Sequence, residues 1–226
     1  MVAMPKISQD QRDARRQQIL DAALTCFSRD GFHNTTTGDI VRESGISQGA
    51  LYLYFANKDD IVVALADERH QQEAFLNALA EREQDPIRGL ARLIDLHGSG
   101  LKDPARADLR RVGIQGWGEA LRNPRIQATA VEGLTRVRDA IAHLIERGQR
   151  TGQIRGSVDP GAVATTLVAA FQGLVLQTAW GEDMDLRAVG QVLRDMIAHS
   201  LLTPAGRASW NGAAAPVNPS RPKKDI

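Results

Sequence analysis

The chain has little that would commit it to an oxidising compartment, a membrane or a catalytic centre. Cys26 is the one cysteine among 226 residues, so no internal disulfide can form, and its place beside an apolar stripe predicts a packed thiol rather than a redox sensor. No run approaches the roughly 18 consecutive apolar residues of a bilayer span, and the start MVAMPKISQDQRDARR lacks an apolar signal region. A cytoplasmic protein with no membrane partner is expected. Strand patterns are missing, and with them the strand contexts of phosphate loops and nucleophile motifs. The five histidines, His33, His70, His97, His143 and His199, show no metal-binding pairing. No metal, cofactor or catalytic residue is therefore expected. An excess of positive charge is lacking too. The net charge is +1, and the first 60 residues carry seven basic side chains against eight acidic ones. Any nucleic-acid reading must then rest on a motif and on oriented backbone amides.

What is present is helical periodicity. From Arg16 to Asp30, Ile19, Leu20, Ala23, Leu24 and Phe27 form one apolar stripe, and Gly31 ends the helix. Thr36 stands three residues before Asp39, the spacing of a capping box, and opens a second helix through Glu43. Gly45 breaks that helix with a residue able to adopt positive φ, and Ser47 can cap a third. In the third helix Leu51 and Phe55 are spaced to join Ile40 and Ile46 in a small core. Gln48, Gly49, Ala50, Tyr52, Leu53 and Tyr54 are left outward. A short amphipathic helix after a glycine turn serves mere packing in many all-α proteins, so the apolar pattern alone leaves that reading open. Two tyrosines and no charge on an outward face suit a helix that enters the DNA major groove, where small residues let the backbone approach the bases.

The run GFHNTTTGDIVRESGISQGALYLYFANKDDI, Gly31 to Ile61, resembles the N-terminal signature of TetR-family transcriptional regulators. The shared features are the glycine closing the first helix, the threonine pair, Asp-Ile, Gly-Ile-Ser in the turn, Leu-Tyr-x-Tyr-Phe, and a lysine opening the fourth helix. The resemblance implies that Thr36 caps the second helix and touches a phosphate, and that Gln48, Gly49 and Ala50 face base edges. It implies that Tyr52 and Leu53 lie against bases or backbone, and that Tyr54 and Lys58 contact phosphate. Ala50 stands where Thr or Ser is frequent, removing a hydroxyl, and Leu53 is more apolar than usual, suited to a thymine methyl. Arg12, Arg15 and Arg16 cluster where an N-terminal arm could reach the DNA backbone.

Downstream, Asp85-Pro86, Asp103-Pro104, Asn123-Pro124 and Asp159-Pro160 each place a capping residue before a proline, a strong helix start. Helices are predicted at about 58 to 83, 86 to 99, 104 to 121, 125 to 148, 160 to 180 and 186 to 202. The expected fold is all-α with about nine helices. Its parts are a flexible arm (1–12), a helix-turn-helix DNA-binding domain (13–57), a helical effector-binding and dimerisation domain (58–202) and a disordered tail (203–226) bearing Lys223 and Lys224.

The stretch AVATTLVAAFQGLVLQTAW, Ala162 to Trp180, is apolar nearly all round, so a helix there must be covered on more than one side. The resemblance implies that the last two helices form a four-helix bundle with a second subunit. Val168, Val175, Val189, Val192 and Met196 are the candidate contacts of that homodimer. Candidate effector contacts in the middle helices are His97, Gln115, Trp117, Gln172 and Trp180, lining an apolar cavity. The reading that follows is a regulator, expected to repress, that binds an inverted-repeat DNA operator and is released by a small, largely apolar effector through displacement of the fourth helix. The alternatives are a constitutive DNA-binding or structural helical protein without an effector, and a helical enzyme.

Overall fold

The computed structural model describes residues 8–181 and 183–213. They form ten α-helices: α1 (Gln9–Asp30), α2 (Thr37–Ser44), α3 (Gln48–Tyr54), α4 (Lys58–Glu81), α5 (Pro86–Lys102), α6 (Ala107–Ala120), α7 (Pro124–Arg150), α8 (Pro160–Ala179), α9 (Leu186–Ser200) and α10 (Pro204–Ala213). A 3-10 turn, Pro104–Arg106, precedes α6. Among the described residues there is no named strand, only an isolated bridge between Ile154 and Leu202.

Helix starts follow local chemistry closely. Thr36 and Asp39 make the reciprocal capping box of α2, and Ser47 accepts the Ala50 N–H at the start of α3. Asp85, Asp103, Asn123 and Asp159 each cap the helix or turn that begins at the next proline. Gly45 lies between α2 and α3 at φ 69°, a left-handed conformation that a Cβ would strain, and this sets the angle of the helix-turn-helix.

Two cores are built. In the first, Ile19, Leu20 and Phe27 of α1 meet Ile40, Leu51 and Phe55, and Ile61 and Leu65 of α4 complete it. Each large aliphatic or aromatic side chain buried this way stabilises by about 1.5–3 kcal/mol. Cys26 is fully buried in the same core, and burial pushes its thiol pKa up, as befits a packing residue. Because α4 supplies part of this core, packing does not stop between residues 57 and 58. The second core joins Ile87, Leu90, Ile141, Leu144 and Ile145 to Leu202 and Trp210. Helix α7 packs on both α4 and α8 and spans the two.

Two expectations at the ends are corrected. Helix α1 begins at Gln9, capped by Ser8 in a box with Gln11, so residues 9–12 are helical and only 1–7 lie outside the described residues. Arg16 is not an arm residue, since it pairs with Glu68 of α4 at 3.0 Å and stacks over Phe55. The tail is also partly folded. Residues 204–213 form α10, and its Trp210 is buried beneath the Arg194 guanidinium. The Thr203 hydroxyl accepts the Gly206 N–H and donates to the Gly152 carbonyl. Low-propensity residues become helical here because tertiary contacts hold them. Lys223 and Lys224 lie outside the described residues.

Candidate DNA-binding surface and interior cavity

Helix α3 presents Gln48, Gly49, Tyr52 and Leu53 on one exposed face, with Leu53 84% and Tyr52 47% accessible. A leucine this open contributes little to the core. The Tyr52 hydroxyl lies 3.4 Å from the Thr37 hydroxyl, and hydrogen bonding with Thr37 and Gln48 draws its phenol below the usual tyrosine value. Ala50 is half-buried. Tyr54, expected outward, is half-buried with its ring against the first core. Thr36 spends its hydroxyl on Asp39, donating to the carboxylate at 2.7 Å and accepting the Asp39 N–H at 3.2 Å. The hydroxyl bond, with the Thr36 N–H donated to the same carboxylate at 2.9 Å, holds the Asp39 carboxyl down at about 2.

Lys58 is turned inward. Its Nζ donates to the carbonyls of Phe32 at 2.5 Å and Thr35 at 2.9 Å and sits 4.3 Å from the Phe32 ring centroid. Partial burial lowers its ammonium pKa. An ammonium has three donors, so one makes no hydrogen bond to a protein carbonyl.

Between the two cores lies a cavity of about 540 Å³, in the range of small-molecule sites. Its walls come from α4, α5, α6, α7, α8 and α9, and most of the surface is apolar. Of the five candidate effector contacts, His97, Trp117 and Gln172 line it. Gln115 and Trp180 do not. Gln115 faces away from the cavity toward α1, where its Oε1 accepts the Phe32 N–H at 2.8 Å and its Nε2 donates to the Phe27 carbonyl at 3.1 Å. Trp180 sits at the end of α8 and is 69% exposed. Trp117 stands between two glycines, and a Cβ at Gly116 or Gly118 would meet nothing within 4 Å. Gly116 opens on the cavity.

Arg69, His70 and Glu73 also line the cavity, and no sequence pattern marks them. On a long helix the run Arg-His-Gln-Gln-Glu reads as a solvated face. Only the arrival of α7, and of α6 at Gly113, over that face encloses it.

The candidate subunit contacts divide. Val168 and Val175 are buried within the protomer and Val189 lines the cavity, whereas Val192 and Met196 are 59% and 61% exposed. On α8 the outward residues are instead Gly161, Ala162, Thr165, Thr166, Ala169, Ala170 and Gln177, with Trp180 at its C-terminal cap. This helix is also long and apolar enough, with a mean hydropathy of 1.5, to cross a membrane by length and composition. No three potential metal ligands cluster among the described residues.

A glycine-turned helix pair with an uncharged, exposed second helix, joined by a shared core to a helical domain around a cavity, defines a helix-turn-helix DNA-binding protein with an attached ligand-binding-type domain. Residues 19–65 match the model of bacterial regulatory proteins of the tetR family. Residues 96–202 match the C-terminal model of BetI-type transcriptional repressors. The chain belongs to the TetR family of DNA-binding transcriptional regulators. It is 28% identical over 198 residues to the HTH-type transcriptional repressor Rv1474c of Mycobacterium tuberculosis, covering 87% of this chain and 100% of that one. A transcriptional regulator from Saccharomonospora viridis, solved in complex with choline, superposes with a TM-score of 0.74 at 28% identity, over 84% of this chain and 99% of that one. SmeT, the repressor of the Stenotrophomonas maltophilia multidrug efflux pump SmeDEF, superposes with a TM-score of 0.69 at 25% identity, over 90% and 94% of the two chains.

Proposed function

We propose that the chain is a cytoplasmic, homodimeric repressor that holds an inverted-repeat operator through α3 of each subunit and releases it when a small, largely apolar effector occupies the cavity. One observation carries this reading: α4 is a wall of the cavity and also closes the core of the DNA-binding domain. A ligand pressing on Val62, Leu65 or Arg69 acts on the helix that begins at Lys58. Two further ties hold the first turn of α4, which abuts the DNA-binding core, to the start of α7, since Asn123 donates to Asp59 at 2.7 Å and Arg125 pairs with Asp60. The first turn of α4 therefore moves with the start of α7.

At the DNA, Gln48, Gly49, Tyr52 and Leu53 read bases, Ala50 allows close approach, and Thr36, Tyr54 and Lys58 touch phosphate. In the dimer, the outward residues of α8 and Val192 and Met196 of α9 pack against their copies across a two-fold axis. That occupant also accounts for the apolar outer face of α8 without a membrane. Relatives named as repressors, and one solved with a small molecule, support the effector reading.

The test is a footprint on the promoter of its own gene and on neighbouring promoters, followed by titration of candidate effectors. Protection of two half-sites about 34–36 Å apart, or a multiple of that spacing, supports the reading. An asymmetric, unrepeated site would sink the dimeric geometry. A compound that fills the cavity without loosening the operator complex would be a passenger and not the signal.

A further inference from the structure

Resting on the effector reading above, we infer that Arg69, His70 and Glu73 of α4 receive the polar end of the effector, and that this end is an uncharged hydrogen-bonding group such as a hydroxyl or an ester carbonyl. Arg69 Nε donates to Glu73 Oε1 at 2.8 Å, and both side chains are mostly buried. Arg194 of the wall pairs with Asp95 but keeps a buried Nη1 without a hydrogen-bond partner, and the exposed Arg187 also lines the cavity. Burial pushes the imidazoles of His70 and His97 below the ordinary histidine value, toward the neutral form. A cationic head would find Glu73 already neutralised, and an anionic head would find Arg69 already neutralised. At this cluster either ion would lose its hydration without an unpaired counter-charge to compensate it.

Hydrogen-bonding capacity is nonetheless abundant. Arg69 engages the protein only through Nε, leaving the N–H groups of its two η nitrogens, and Glu73 keeps one oxygen. No side-chain hydrogen bond is made by His70, Trp117 or Gln172 among the described residues. Groups of this kind on an apolar wall orient a ligand and leave its bulk to dispersion and desolvation.

The cluster is also held in place. A Cβ at Gly113 of α6 would come within 2.5 Å of Arg69 Nη1, and one at Gly133 of α7 within 2.0 Å of His70 Nε2. Both glycines are notches that seat the two side chains against the neighbouring helices. A head group bound there pulls directly on α4.

The test uses four probes that share a similar alkyl chain: 1-decanol, methyl decanoate, sodium decanoate and decyltrimethylammonium. Calorimetry on the full-length dimer should show the two neutral probes binding on the order of ten-fold tighter than either ion. Arg69→Lys keeps a cation for Glu73 but removes the η fork, and should weaken 1-decanol by a similar factor and narrow the preference among heads. Gly133→Ala, which displaces His70, provides a second variant whose fold is checked by thermal melting. An ion that binds as tightly as 1-decanol overturns the assignment, as does unchanged 1-decanol binding in both variants or no binding by any probe. Operator release is read separately. A charged probe that binds best and releases the operator leaves the effector reading standing and removes the neutral head, whereas neutral probes that bind but never release it do the reverse.

Discussion

Gln115 and Phe32 bind each other across the boundary between effector and DNA-binding domains: the Phe32 N–H donates to Gln115 Oε1 at 2.8 Å. The same amide donates back to Phe27 at 3.1 Å, so the end of α1 is stitched to α6 one residue before cavity-lining Gly116 and two before Trp117. A shift of α6 on ligand entry therefore reaches the DNA-binding domain by a second route beside α4.

Gln115→Leu removes this stitch while keeping the volume close. It should cost about 1–3 kcal/mol, because the Phe32 N–H and the Phe27 carbonyl lose their partner in a largely buried place. Effector affinity for free protein should be nearly unchanged, while the ratio of effector affinities without and with saturating operator moves toward one. Calorimetry in both conditions checks it, and an unaltered ratio removes Gln115 from the coupling route.

Lys58→Ala should have two separable effects. Loss of the two carbonyl contacts lowers the melting temperature, and loss of the third donor lowers the slope of log affinity against log salt by about one. If the melt shifts and the slope does not, the lysine serves the fold alone.

On α3, Leu53→Ala should leave stability within about 0.5 kcal/mol, since the side chain is almost wholly exposed. Operator binding should nonetheless weaken, most on half-sites that keep a thymine at the contacted position. Gln48→Ala should change which bases are preferred. Equal losses on every base variant would take Gln48 out of the reading set.

In the proposed dimer, Val192→Glu or Met196→Glu should give folded monomers with lost operator binding, because each places a charge in an apolar contact about the two-fold axis. Val175→Asp should act differently. Val175 is 3% exposed inside the protomer, so the charge should cost several kcal/mol of stability and unfold the chain before any question of assembly arises. Sedimentation together with circular dichroism separates the two outcomes. Dimers that persist in both α9 variants would place the subunit contact elsewhere.

Much of the frame was legible because it is decided within a few residues. Asp-Pro and Asn-Pro pairs, the Thr36–Asp39 box and the Gly45 turn are local chemistry, and each marks a helix start or stop in the structure. Thr203-Pro204 is the same signal and opens α10, but the Ala, Gly and Ser residues after it have weak helix preference. Only the burial of Trp210 against α5 and α9 makes that helix worth forming.

The sequence by itself determined the helical class, the order of the helices, the two-helix DNA-reading unit and the family, since periodicity, caps and turn residues act at short range. Tertiary structure alone decided which face of each long helix is enclosed. It turned Val168 and Val175 inward, left Val192 and Met196 outward, gave Gln115 to the α1 contact, and buried Arg69, His70 and Glu73 in a cavity wall. The physical reason is that α8 is apolar on nearly every side and α4 is polar on a side that becomes interior. A helix's own pattern then no longer states which neighbour covers it, and the packing of α6, α7 and α9 makes that choice.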